Sequence, residues 1–140
     1  MLVNLGMRRV LGSGDSTSPT LSSPQNGTET TDGATNFGVT TNEDNGTLYW
    51  AILTDGGSCT DAQLKAGSGG NIVAGKAGTQ AISSTGAKTI ASVTGLSDNV
   101  DYEIVFLHRD AVGNDSSQAT VGLTTLVSFD IGAQQHAAGA

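Results

Sequence analysis

Two runs constrain this chain more than anything else in it: Thr47 to Thr54, which reads TLYWAILT, and Tyr102 to His108, which reads YEIVFLH. Both are short, rich in aromatic and aliphatic residues, and bounded within two positions by Gly, Asp or Asn. A two-residue period puts Leu48, Trp50 and Ile52 on one face of the first run and Tyr49, Ala51 and Leu53 on the other. In the second, Tyr102, Ile104 and Phe106 share the inward face. Neither run is long enough for a typical helix, and no segment carries the wide apolar stripe that a helical bundle needs.

The remaining segments repeat this pattern more weakly. Thr20 to Ser23 reads as a first strand closed by Pro24, before a turn at Asn26-Gly27. Thr35 to Thr41 places Phe37 and Val39 on one face. Asn71 to Ala74 and Thr79 to Ser83 read as two edge strands in Gly-rich surroundings. Thr89 to Thr94 and Ala119 to Leu126 follow. Asp55-Gly56-Gly57-Ser58 interrupts the pattern, and Thr60 stands three residues before Gln63, the spacing of a capping box, which predicts one or two helical turns over 60–66. The sum is an all-β fold, a seven-stranded antiparallel β-sandwich over residues 19–126. Composition agrees: 36% hydrophobic and 4% aromatic residues make a thin core, and two sheets about 10 Å apart need only their facing sides apolar. The 140 residues suit one domain.

Two flanks remain. Residues 1–18 read as an N-terminal arm with a weakly apolar start (Leu2, Val3, Leu5, Met7), the pair Arg8-Arg9 and a Gly/Ser linker. Leu2, Leu5 and Arg9 would share a helical face, but the segment is too short to be helical alone. Residues 127–140 read as a C-terminal tail. Arg8 and Arg9 follow the apolar residues, the reverse of a secretion signal, and no stretch is long enough to span a bilayer. One cysteine, Cys59, excludes an internal disulfide and suits a protein completed in a reducing cytoplasm. Six basic against 13 acidic side chains give a net charge of −7, which argues against nucleic acid as a partner.

Three local patterns point to a family. Val93-Thr94-Gly95-Leu96, with Tyr102 six residues after the leucine, resembles the corner before the penultimate strand of fibronectin type III domains. There a tyrosine fills the core edge while its hydroxyl bonds the turn backbone. Residues 110–117 resemble the loop that follows that strand, and Thr120 to Leu126 resembles the closing strand. The sequence departs from the pattern in two ways. The family's usual tryptophan lies in the second strand, where Phe37 stands here while Trp50 lies in the third; and the helical segment is an insertion. A sandwich of immunoglobulin type therefore stays open.

A Thr/Gly/Ala-rich, disulfide-free domain with arms at both ends resembles the fibronectin-like domains of bacteriophage virion proteins such as capsid decoration proteins, head fibres and tail components. That resemblance implies a non-enzymatic structural virion protein, made in the host cytoplasm and located in the virion. Its partners would be the major capsid protein and neighbouring copies of itself, gripped through Leu2, Leu5, Met7, Arg8 and Arg9. Neither nucleic acid nor membrane is implied. The alternative is an adhesion module that binds host-surface glycans through loops 42–46 and 110–117, with Asp44, Asp110, Asn114 and Asp115 as ligand-loop residues.

Other chemistry weighs less. Gly70 to Lys76 has the glycine spacing of a phosphate-binding loop, but Ala77 replaces the metal-binding hydroxyl and a strand, not a helix, follows. His108 reads as a histidine capping the core; His136 lies in the tail, and Gly-x-Ser-x-Gly is absent. One cysteine and two distant histidines do not make a zinc site. Loops 42–46 and 110–115 belong at one end of such a sandwich, so Asn42, Glu43, Asp44, Asp110, Asn114 and Asp115 offer oxygen ligands for calcium; the favoured reading is that these residues stabilise turns through their own backbone, and no cofactor is assigned. Cys59 is placed in an exposed loop with no base beside it. The Asn-x-Ser/Thr triplets at Asn26, Asn45 and Asn114 read as chance. Trp50 is assigned to the core, which leaves Tyr49 as the aromatic for any sugar platform.

Overall fold

The computed structural model describes residues 14–129. The anchoring candidates Leu2, Leu5, Met7, Arg8 and Arg9, and His136, lie outside these residues.

Eight strand segments and one short helix form: β1 (Leu21–Gln25), β2 (Thr28–Thr30), β3 (Gly33–Thr41), β4 (Thr47–Thr54), α1 (Asp61–Ala66), β5 (Ile72–Ala81), β6 (Gly86–Val93), β7 (Asp101–Arg109) and β8 (Ala119–Thr124). All pairing is antiparallel, in two sheets. One has β3 at its centre, with β1 and β2 along one side and β6 along the other. The second runs β5-β4-β7-β8.

Two differences from the sequence reading have local causes. The first strand does not stop at Ser23 but continues through Pro24, because the register against β3 slips by one residue between Ser22 and Gln25, with Ser23 at φ 50°. Past that bulge β2 keeps the new register, so β1 and β2 act as one edge strand broken at Gly27. The expected strands at 71–74 and 79–83 are a single strand, β5. Gly75 at φ 75° lies in its irregular stretch, where the pairing shifts between Ala51 and Leu53, and the alternation fails in the sequence for the same reason.

The core lies between the sheets. Phe37 and Val39 from β3 meet Leu48 and Ile52 from β4 and Ile104 and Phe106 from β7. Phe37 and Trp50 form an edge-to-face pair with centroids 5.1 Å apart, so the ring expected on the second strand and the one on the third meet across the sandwich. A second cluster lies on the outer face of the other sheet. Ala51, Leu53, Val105 and Leu107 are covered by Leu64 of α1. That is why β4 and β7 are apolar on both faces, where a bare sandwich needs one. Thr60 caps α1 by accepting the N–H of Gln63, whose side chain accepts the N–H of Thr60 in return. Gly67 closes the helix at φ 71°.

Tyr102 closes the core at one end: its hydroxyl accepts the N–H of Ser97 at 3.1 Å, the geometry of a tyrosine corner. β7 runs away from this end for nine residues, roughly 27 Å, to Arg109. Residues 15–17 lie at the Arg109 end, where the side-chain amide of Asn114 donates to the carbonyls of Asp15 and Thr17. Residues 125–128 lie at the Tyr102 end, where Thr125 bonds Val100 and Ser128 bonds Asp98. The chain thus enters the sandwich at one pole and leaves it at the other.

Candidate functional site

The sequence expects loops 42–46 and 110–115 to meet, and they do. They join residues 14–18 around an open cavity of about 180 Å³ lined by Asp15, Glu43, Asp44, Asn45, Asp110, Ala111 and Val112.

Asp110 organises one side. It follows directly on β7 and is buried, with 6% of its surface exposed. Its Oδ1 accepts the N–H groups of Val112, Gly113 and Asn114 at 2.9, 2.6 and 2.8 Å, and its Oδ2 accepts Asn114 Nδ2 at 2.7 Å. Burial works against the charge, but the backbone and side-chain bonds from Asn114 and the N–H groups of Gly113 and Val112 outweigh it, and the carboxyl is held below the usual carboxylate range. Gly113, at φ 108°, supplies the turn that aims three N–H groups at one oxygen.

His108 fixes the other side. Its ring is fully buried. Nε2 donates to the carbonyl of Asn45 at 2.9 Å, which makes Nδ1 the acceptor for the Thr41 hydroxyl at 2.8 Å. Both ring nitrogens are therefore engaged. Nearby Ser116 Oγ accepts the backbone N–H of His108. The imidazole ties the 42–46 loop to β7 and does not open to solvent.

The residues singled out in the sequence thus separate. Glu43 and Asp110 come together with Asp15, one carboxylate oxygen from each lying within 4.8 Å of the other two. Asp44 lines the same cavity and accepts from Asn45 Nδ2. Asn42 spends its side-chain oxygen on the N–H of Thr20. Asn114 acts as a donor. Asp115 pairs instead with Lys65 and Arg109, and so pins α1 to the β7–β8 loop. Asp15 escaped the sequence reading because only the tertiary fold sets it beside residues 28 and 95 positions away. As a calcium cage the set is thin: calcium takes six to eight oxygens, and Asp110 Oδ1 already accepts three N–H groups.

Elsewhere the fold bears on three readings. Gly70 to Lys76 runs into β5 and builds no strand–loop–helix cradle. Cys59 is half-buried rather than exposed; burial, and then Asp61, push its thiol up from its ordinary value. Tyr49 packs against the cluster under α1 and is only partly exposed.

The chain matches no protein-family model, no curated protein and no solved structure.

Proposed function

We propose that this protein is a non-catalytic structural component of a virion, a decoration or accessory protein on a bacteriophage capsid, with a fibronectin type III-like sandwich held in place by its terminal arms. Two facing antiparallel sheets, β1/β2-β3-β6 and β5-β4-β7-β8, support the fold assignment, as does Tyr102, whose hydroxyl bonds the turn before β7 in the way the resemblance expects.

The observation that carries the assembly reading is the polar separation of the two chain ends. Residues 14–18 leave beside the acidic cavity. Leu126, Val127 and Phe129 leave at the far pole, with 48%, 54% and 84% of their surfaces exposed. Exposed apolar residues on an outgoing segment suit a surface completed by another chain. A segment that orders only on assembly covers much area for its length.

The test is rebinding to purified particles stripped of this protein, comparing the full chain with one lacking residues 1–18. Rebinding by the full chain alone supports an arm-anchored decoration protein. Binding to host cells or glycans by both, and to particles by neither, supports the adhesion alternative, in which loops 42–46 and 110–117 form the ligand end. The cavity between these loops is the observation in that reading's favour.

A further inference from the structure

One side of the sandwich is unfinished. Between β5 and β6, which pair with no further strand among the described residues, runs an open strip of about 350 Å³ lined by Trp50, Gly78, Thr79, Gln80, Thr89, Ile90 and Ala91. Its floor is the margin of the core. Trp50 and Ile90 pack on the core cluster but remain only partly buried. Gly78 keeps the indole uncovered, since a Cβ there would lie 2.8 Å from it. Gln80 Nε2 donates across the strip to the Thr89 carbonyl at 3.4 Å, while its Oε1 is buried with no hydrogen-bond partner among the described residues.

The two edges differ. β5 is interrupted at Gly75 and shifted in register. β6 keeps one register along β3 from Ala34↔Val93 to Thr41↔Gly86, and Lys88 is its only charged residue. A regular, nearly uncharged edge is a template for another strand.

We propose that the β6 edge takes residues 1–7 of a second copy of this chain as an added β-strand. In an extended chain Val3, Leu5 and Met7 fall on one face, toward Trp50 and Ile90, and Leu2, Asn4 and Gly6 on the other. The 13 residues before Gly14 reach about 45 Å, more than the roughly 26 Å length of β6. They carry Arg8 and Arg9 and no acid, while the rest of the chain has four basic and 13 acidic side chains, so arm and domain attract. A return to the arm's own domain starts beside Asn114, on the β7–β8 loop, and must cross to the far margin of the sandwich, roughly 15 Å away. Residues 8–13 reach about 20 Å, enough for that span, so closure onto the arm's own domain is the rival outcome that the dilution series decides. Exchange of an identical segment between copies is a low-cost route to association.

The inference rests on reading residues 1–18 as an assembly arm, and Trp50 tests it directly as the only tryptophan. Its emission is followed over a dilution series of the full chain, together with mass by sedimentation, and compared with the full-length V3D/L5D double variant. The expected result is a blue-shifted emission and a mass above one chain. Both are lost on dilution, and both are absent in V3D/L5D. A blue shift that persists in a monomer at every concentration overturns the proposal in favour of closure onto the arm's own domain. Emission identical in the full chain and V3D/L5D also overturns it. Particle rebinding separates the two readings. If V3D/L5D fails to rebind but its emission matches that of the full chain, this inference fails and the virion reading stands. If the full chain never binds particles but keeps its dilution-sensitive shift, this inference stands alone.

Discussion

His108 Nε2 lies 2.9 Å from the carbonyl oxygen of Asn45, while Nδ1 takes the hydroxyl of Thr41. One buried ring thus holds together the end of β3, the 42–46 loop and β7. Thr41→Val keeps the volume and removes the hydroxyl, leaving a buried acceptor without a donor, at a cost of about 1–3 kcal/mol. Thermal melting should record the loss, and amide exchange should quicken first in residues 42–46.

Tyr102→Phe keeps the ring in the core and deletes the acceptor for Ser97 N–H. The expected loss is about 1 kcal/mol, a lower urea midpoint at an unchanged slope. A changed slope would mean that the corner shapes more than one hydrogen bond.

Leu64→Ala tests whether α1 is part of the fold or an ornament on it. Leu64 is 1% exposed and is the helix's contact with the outer face of β4 and β7. Truncation should cost about 2–4 kcal/mol and expose Cys59. Faster reaction of Cys59 with a thiol reagent is the local readout.

Gly78→Ala places a Cβ against the Trp50 indole at 2.8 Å. Overpacking of this kind costs about 1–3 kcal/mol. Circular dichroism should show an intact sheet with a lower melting temperature, and the tryptophan emission should move.

Acid should weaken the cavity loops through Asp110. Its carboxyl is depressed in the folded protein, so its contribution is present above the unfolded value, about 3.9, and is lost as pH falls through the folded value. Asp110→Asn should therefore melt lower than the parent at neutral pH. The difference should narrow as pH drops below about 4. A constant difference across that range would mean that its charge is not what holds the loop.

Much of the fold was legible because its period is local. The alternation in 47–54 and 102–108 assigned β4 and β7 and their inward residues, and the spacing of Thr60 and Gln63 announced α1 before any contact was known. Where the backbone leaves its regular path the signal disappears. Gly75 hid the continuity of β5, and the bulge after Ser22 hid that of β1 and β2. The cavity was half legible. Topology brought Glu43 to Asp110, whereas Asp15 is placed by a hydrogen bond between its carbonyl and Asn114, which no spacing encodes.

The opposed exits of the chain have a mechanical consequence. A pull on residues 14–18 and 125–129 acts nearly along the strands. Force entering through β1 is resisted by its ladder to β3, and force leaving through β8 by its ladder to β7. Those hydrogen bonds are loaded together in shear, instead of being peeled one after another. A sandwich tethered at both poles can therefore carry tension through its edge strands while the core between them stays unstrained.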